Sequence, residues 1–173
     1  MLIKYTQPKN LHRIFEPNSY YHVFNRGNHK KQIFHSVSDY EKFLIYQNKY
    51  FQIYDTIDLL AWCLMPNHFH LLVKTGSQPQ DLIKLMQQFM TAYAVFFNKK
   101  YNQVGHLFQS RYHSRHLRYE HGVQRVYNYI KRNPVEAELC RRSEDYKWLW
   151  LGDLPFYAFE KENVDRNIKK SKF

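Results

Sequence analysis

Cysteine is scarce in this 173-residue chain, which holds only Cys63 and Cys140. Two isolated cysteines make neither a disulfide framework nor a cysteine-based zinc site. Cys63 stands in an apolar run, which predicts a reduced core residue. Long apolar stretches are also lacking: the longest run without charge, residues 59–73, is too short to cross a bilayer, and residues 1–4 do not resemble a signal peptide. These features predict a cytoplasmic protein with no membrane partner.

Acidic residues are few: 15 Asp and Glu stand against 26 Lys and Arg, which gives a formal charge of +11 and a pI near 9.6. Aromatic residues make up 18% of the chain. A basic, aromatic-rich protein favours a nucleic-acid partner, because phosphates attract the cations and bases stack on exposed rings. A plain basic protein whose charge has no specific partner stays an alternative. The length predicts one domain over residues 1–173, with a core at about 20–150, a basic lead-in and a basic tail.

Hydrophobic periodicity and turn residues predict four strands and three helices. The predicted strands are residues 20–25, 56–64, 68–74 and 111–118, and the predicted helices are residues 38–54, 80–98 and 120–133. Strand-helix-strand-strand-helix-strand is the order of a ferredoxin-like or RRM-like α+β sandwich, an antiparallel sheet of about four strands with helices on one face. The further helix follows the fourth strand, and the opposite face of the sheet is expected to stay open.

Two helix ends have local signals. Ser38 and Glu41 fit a capping box at the start of the first helix. The third helix is expected to end before Pro134, because the residue preceding a proline is pushed out of the helical region.

The most informative stretch is residues 65–73, MPNHFHLLV. On a strand, His68 and His70 share one face while Phe69, Leu71 and Val73 share the other. The apolar face predicts a core, so the two imidazoles are expected to face outward, where a pair of ring nitrogens suits one divalent metal ion. A buried histidine pair without a ligand is the alternative.

The third predicted helix carries a second set of polar groups. Tyr129 lies roughly 100° from the centre of the apolar stripe of that helix, and Asn133 follows four residues later on the same side. With Arg125 one turn earlier, they offer a nucleophile, a neutral ligand and a phosphate-binding cation. A surface tyrosine and a helix-ending asparagine without function remain the alternative.

Four segments together resemble the single-tyrosine HUH transposases, and more narrowly the REP-associated tyrosine transposases. They are residues 21–27 (YHVFNRG), 62–73 (WCLMPNHFHLLV), 105–112 (GHLFQSRY) and 129–135 (YIKRNPV). The resemblance implies that His68 and His70 are the ligands of the HUH motif, with Phe69 as its bulky middle residue. It also implies that Tyr129 is the catalytic tyrosine and Asn133 the third metal ligand. The Asn-Pro pair is that of the REP-associated branch, whereas many insertion-sequence members have Gln there.

The resemblance further implies a Mg or Mn ion, a 5′-phosphotyrosine intermediate and a single-stranded or hairpin DNA partner, with Zn a further possible ion for such ligands. The candidates for DNA contacts are the following: Arg111, Arg115, Arg118, Arg125, the tail lysines, and the rings of Tyr112 and Phe108 as exposed stacking platforms. Two rival functions keep the fold: an RRM-like binding module without catalysis, and a metal-dependent hydrolase in which water attacks. Monomer and homodimer are both compatible with the sequence.

Overall fold

The computed structural model describes residues 13–154. Within these residues, five strands, three α-helices and two 3₁₀ turns follow one another. The strands are β1 (Tyr20–Arg26), β2 (Ile57–Met65), β3 (His68–Thr75), β4 (His113–Leu117) and β5 (Leu149–Leu151). The helices are α1 (Val37–Ile53), α2 (Asp81–Lys100) and α3 (Glu120–Glu136), and the 3₁₀ turns are Asn28–Lys30 and Ser143–Asp145.

The strands form one antiparallel sheet in the order β4-β1-β3-β2-β5, so the predicted α+β fold is confirmed. β3 is the central strand and β1 is one of its two neighbours, so residues of these two strands lie side by side in a fixed register. The sequence prediction missed β5. This strand has only three residues, too few for an alternating pattern to stand out.

The first core lies between the sheet and the helices α1 and α2. Phe69, Leu71 and Val73 of β3 are fully buried there, as their alternation predicts, together with Phe43 of α1 and Phe89 of α2. The helices α1 and α2 pack on each other as well as on the sheet. The apolar face of β3 is therefore the inner face of this layer.

The second face of the sheet is covered, not open as expected. Val123, Val126 and Ile130 of α3 pack against Cys63 and Leu72 in a smaller core on this side. The apolar stripe of α3 needs a partner surface, and the side of the sheet opposite α1 and α2 supplies it. This layer sets α3 directly over the even-numbered residues of β3.

Both predicted helix ends differ from the structure. Helix α1 is capped by Ser36 and Asp39, not by Ser38 and Glu41. The Oδ2 atom of Asp39 accepts hydrogen bonds from the backbone N–H groups of His35 (2.8 Å) and Ser36 (2.9 Å). Helix α3 continues through Pro134 to Glu136, because proline's own φ is helical and the burial of Asn133 and Pro134 offsets the hydrogen bond that the proline cannot make.

Replacing Asp39 by alanine is expected to destabilise the fold by about 2–3 kcal/mol, since its carboxylate also accepts from Lys100 and Tyr101 of the α2 end. Burial would raise the pKa of Asp39, but the hydrogen bonds from Lys100, Tyr101, His35 and Ser36 outweigh it and lower the pKa. The stabilisation that the Asp39 carboxylate gives to the fold is therefore complete above pH 3.8, the ordinary pKa of the group. It is lost as the pH falls through the lowered pKa that Asp39 has in the folded protein. Urea unfolding of Asp39→Ala at pH 7 and pH 3 measures the loss of stability and its dependence on pH. Glu41→Ala, at an exposed position of the same helix, is the control. An equal loss in the two variants would refute this cap.

Within residues 13–154, no helix combines the length and the apolar character that a membrane span requires. The predicted basic tail lies outside the described residues.

Candidate active site

The two histidines of β3 lie on the face that α3 covers. In the register of the sheet, His68 stands opposite Arg26 of β1 and His70 stands opposite Phe24. The centroids of the two imidazole rings are 5.0 Å apart and the rings are almost perpendicular. The expectation that the pair faces outward was wrong for His70, which is only 5% exposed because α3 crosses above it, whereas His68 is half-buried.

Helix α3 brings Tyr129 and Asn133 to the same place. The ring of Tyr129 meets that of His70 edge-on, with the centroids 5.3 Å apart. The side chain of Asn133 is buried and lies close enough to His68 to affect its pKa. A single chain therefore brings together all four residues that the sequence analysis selected, and no second copy is required for their convergence.

The ring nitrogens of the two histidines have different partners. The Nδ1 atom of His70 lies 3.0 Å from Nε2 of His22, and Nδ1 of His68 lies 2.6 Å from Oδ1 of Asn67. With both Nδ1 atoms engaged, the Nε2 atoms are the ones available to a ligand. The Nε2 atom of His70 is in fact buried without a hydrogen-bond partner, and so is Nδ2 of Asn133.

All three histidines of this cluster are held neutral. Burial lowers the pKa of His70 well below its ordinary value, and the neighbouring imidazoles of His22 and His68 add to the effect, because two adjacent protonated rings would repel each other. Burial and the charge of Arg26 lower the pKa of His68 to about 4, against an opposing hydrogen bond with Asn133. Burial, with a smaller effect of Arg115, lowers the pKa of His22 to about 3. A neutral imidazole with a free nitrogen is the form that binds a metal.

The donor set fits a divalent ion with few protein ligands. Across residues 13–154, no three His, Cys, Asp or Glu side chains are grouped so that they could hold a metal. The ligands available are two imidazole nitrogens and the amide of Asn133, which leaves positions open for water or a substrate oxygen. The unpartnered Nε2 of His70 is the observation that favours such an ion, because a buried polar atom without a partner costs free energy.

Sequence reasoning missed two residues of β1, His22 and Arg26. Both point to the same face as the histidine pair, since alternate residues of a strand share a face and β1 is the neighbour of β3. Arg26 is close enough to lower the pKa of His68, and its Nε atom is buried without a hydrogen-bond partner. The sequence does show that His22 and Arg26 share one face of a strand, because they are separated by an even number of residues. That this face adjoins His68 and His70 follows only from the pairing of β1 with β3.

The predicted DNA contacts are scattered, and part of this prediction was wrong. Four of the candidates are exposed, namely Arg111, Arg115, Arg118 and Arg125. The proposed stacking platforms Tyr112 and Phe108 are instead buried, at 5% and 8% exposure. They pack into the first core, and the guanidinium of Arg13 covers the ring of Tyr112 at 3.9 Å from its centroid. The tail lysines lie outside the described residues.

Solved structures share this fold at low sequence identity. The structure of a REP-associated tyrosine transposase bound to a REP hairpin matches with a TM-score of 0.66 and 15% identity, over 84% of this chain and 93% of that one. The tRNA(His) guanylyltransferase of Saccharomyces cerevisiae matches with a TM-score of 0.51 and 11% identity, over 76% of this chain and 63% of that one. Such different chemistries on one architecture mean that the likeness defines the fold alone.

The sequence itself gives the family. No curated protein sequence matches the chain. The family described as "Transposase IS200 like" matches residues 16–133, which is more than half of the chain and extends from just before β1 to Asn133 near the end of α3. The matched part contains His68, His70, Tyr129 and Asn133. The chain therefore belongs to the IS200-like transposase family.

Proposed function

We propose that this transposase cleaves and rejoins single-stranded or hairpin DNA through a 5′-phosphotyrosine intermediate, as a member of the REP-associated branch. The observation that carries the proposal is the convergence of Tyr129 from α3 with His68 and His70 from β3. The fold likeness to a REP-associated transposase and the Asn133-Pro134 pair support the branch.

The residues that would hold the metal are His68, His70 and Asn133. A Mg or Mn ion supplies, when bound, the positive charge that polarises a phosphate oxygen and offsets the charge of the transition state. Two neutral imidazoles and an amide leave that charge almost undiminished, because none of the three ligands is anionic. Arg26, next to His68 in the register, adds a fixed cation for a non-bridging phosphate oxygen.

Tyr129 is the proposed nucleophile. Its phenolic oxygen attacks the phosphorus, a bond forms between that oxygen and phosphorus, and the bond from phosphorus to the 3′ oxygen breaks. The phenol gives up its proton and the departing 3′ oxygen takes one up, so that a 3′-hydroxyl end is released. Attack of another 3′-hydroxyl on the phosphotyrosine reverses the sequence and joins two strands without a nucleotide cofactor. Because the ring of Tyr129 packs against the ring of His70, the phenol is held beside the proposed ligands before DNA binds.

A hairpin partner is proposed from charge and likeness together. The solved relative is bound to a REP hairpin, and the present chain has a formal charge of +11. Exposed arginines lie on α3, the helix that carries Tyr129, and on the strand β4 that precedes it in the chain, and there they can contact the DNA backbone.

An assay of covalent complex formation tests the function. The protein is mixed with a panel of end-labelled hairpin and single-stranded oligonucleotides, with Mg²⁺, Mn²⁺ or EDTA, and is analysed on denaturing gels. The proposal predicts a metal-dependent protein–DNA adduct together with a free 3′-hydroxyl fragment. Cleavage without an adduct would indicate a hydrolase, and binding without cleavage would indicate an RRM-like module.

His22 is expected to act as a positioning residue for His70. Nε2 of His22 lies 3.0 Å from Nδ1 of His70 and, if Nε2 of His70 held a metal, would accept the hydrogen bond from Nδ1 and so fix the tautomer and the ring of His70. Replacing His22 by phenylalanine should weaken Mn²⁺ binding, measured by electron paramagnetic resonance on the folded protein, by about 10–100-fold. High Mn²⁺ should restore adduct formation in His22→Phe. His22→Gln keeps a hydrogen-bond acceptor, so its Mn²⁺ affinity should lie between those of wild type and His22→Phe. Unchanged Mn²⁺ affinity in His22→Phe would contradict this role.

A further inference from the structure

We propose that the cleft between α2 and the loop of residues 105–112 binds an unpaired nucleotide of the DNA strand that enters the active site. This inference rests on the proposed function and extends it. The cleft has a volume of about 900 Å³, a size typical of small-molecule sites. None of the residues used in the proposed chemistry lines it.

The walls of the cleft suit a base. Met86 and Met90 of α2 face Leu107 and Phe108 of the loop, so the interior is apolar and has flexible thioethers that adapt to a flat ring. Tyr112 also lines the cleft, and the guanidinium of Arg13 lies over its ring at 3.9 Å from the centroid. A base edge offers donors and acceptors that the neutral polar side chains lining the cleft can meet.

The rim of the cleft suits phosphate. Arg13 and Arg111 stand on it with His106, and none of the lining residues within the described part of the chain is Asp or Glu. Gln87 and Thr91 add neutral polar groups on the α2 side, both of them exposed. An apolar interior with a cationic rim matches an unpaired nucleotide, whose base is flat and whose backbone is anionic, better than it matches duplex DNA or an acidic peptide.

The loop links this cleft to the active site. Its backbone is joined to the end of β1: Gln109 N–H donates to the carbonyl of Arg26 (2.9 Å), and the carbonyl of Ser110 accepts from Asn25 Nδ2 (2.9 Å). Further along, His113 lies 3.3 Å from the Ser110 hydroxyl and stacks on Phe24. The ring of Phe24 is in turn 5.9 Å from that of His70.

The cleft lies on the α2 side of the sheet and the active site on the α3 side, so a strand that occupies both would pass around this edge of the sheet. The edge consists of β4 and the loop before it, and both adjoin β1, the neighbour of the histidine strand. A nucleotide held in the cleft would fix the register of the cleaved strand, because it sets how far the scissile phosphate lies from the held base.

Binding measurements in EDTA test the cleft without cleavage. Fluorescence anisotropy compares a blunt hairpin with hairpins that carry two or four unpaired nucleotides at either end. We expect the wild-type protein to bind one tailed hairpin about tenfold or more tighter than the blunt one, the scale of one stacked base. Thr91→Trp, which fills the cleft, should remove this gain and leave the affinity for the blunt hairpin unchanged. The matched control is Gln88→Trp, at an exposed position of the same helix outside the cleft, and it should keep the gain.

Charge is tested separately. Arg111→Gln should reduce the slope of log affinity against log salt by about 0.7 for the tailed hairpin, the value for one phosphate contact on a single strand. Equal affinity of the wild-type protein for tailed and blunt hairpins, or an equal loss for both in Thr91→Trp, would overturn the proposal. So would light scattering that shows a dimer broken by Thr91→Trp, since a second copy would then occupy the cleft. An adduct without a tail preference refutes the cleft alone, whereas a tail preference without any adduct refutes the proposed chemistry alone.

Discussion

Replacement of Tyr129 by phenylalanine is expected to abolish the covalent protein–DNA adduct, with a loss of at least about a thousandfold, while hairpin binding stays within about twofold of wild type. The change removes one oxygen atom, and that atom is the proposed nucleophile. The ring that packs edge-on against His70 and His22 is kept, so the site should remain assembled. Single-turnover adduct formation and hairpin affinity, measured on the same preparation, give the two quantities.

A matched control for this variant is Tyr119→Phe. Tyr119 is the residue just before α3 and is 66% exposed, and its ring stacks on His121, not on His68, His70 or His22, so the variant loses the same atom away from the proposed site. It should form adduct at the wild-type rate. Strand cleavage that persists in Tyr129→Phe would mean that water attacks, and the chain would then be a hydrolase.

Replacement of His70 by alanine is expected to lower the rate of adduct formation by about 10³-fold at Mg²⁺ concentrations that saturate the wild-type protein. The variant loses one of two imidazole ligands, and the stabilisation that an ion gives to a phosphoryl transition state amounts to several kcal/mol. Mn²⁺ binding, followed by electron paramagnetic resonance, should weaken in parallel. High Mn²⁺ should restore part of the activity in His70→Ala but none in Tyr129→Phe, because only the former defect lies in ion binding.

His113→Ala is the control for the histidine experiment. His113 belongs to the same side of the sheet and stacks on Phe24, yet it makes no contact with the proposed ligands among the described side chains. Its loss should leave Mn²⁺ affinity unchanged. Thermal unfolding of both variants shows whether the fold is retained, since the alanine at position 70 also leaves His22 without its partner. Full Mn²⁺ affinity in folded His70→Ala would remove this residue from the ligand set.

The sequence was enough to select the main residues of the site, but not to predict how the rest of the fold surrounds them. Period-two alternation in β3 separated His68 and His70 from the core residues, and the helical angle of Tyr129 separated it from the stripe of α3. Both patterns are local, so one sequence was enough to see them. Their convergence was supplied by the family resemblance, because no local pattern says that α3 crosses the sheet at β3.

What could not be predicted depends on tertiary packing. The burial of His70 follows from α3 lying on the second face, and the role of His22 needs the pairing of β1 with β3. The exposed rings expected at Tyr112 and Phe108 are core residues because their loop is bonded to the end of β1. Asp39 took the capping role from Glu41 because it also reaches Lys100 at the end of α2.

The most direct test is an anomalous difference map of crystals grown with Mn²⁺. The account predicts one strong peak about 2 Å from Nε2 of His68, Nε2 of His70 and the side-chain oxygen of Asn133, on the side that faces Tyr129. A peak elsewhere, or none at these three residues in a protein that forms the adduct with Mn²⁺, would contradict it.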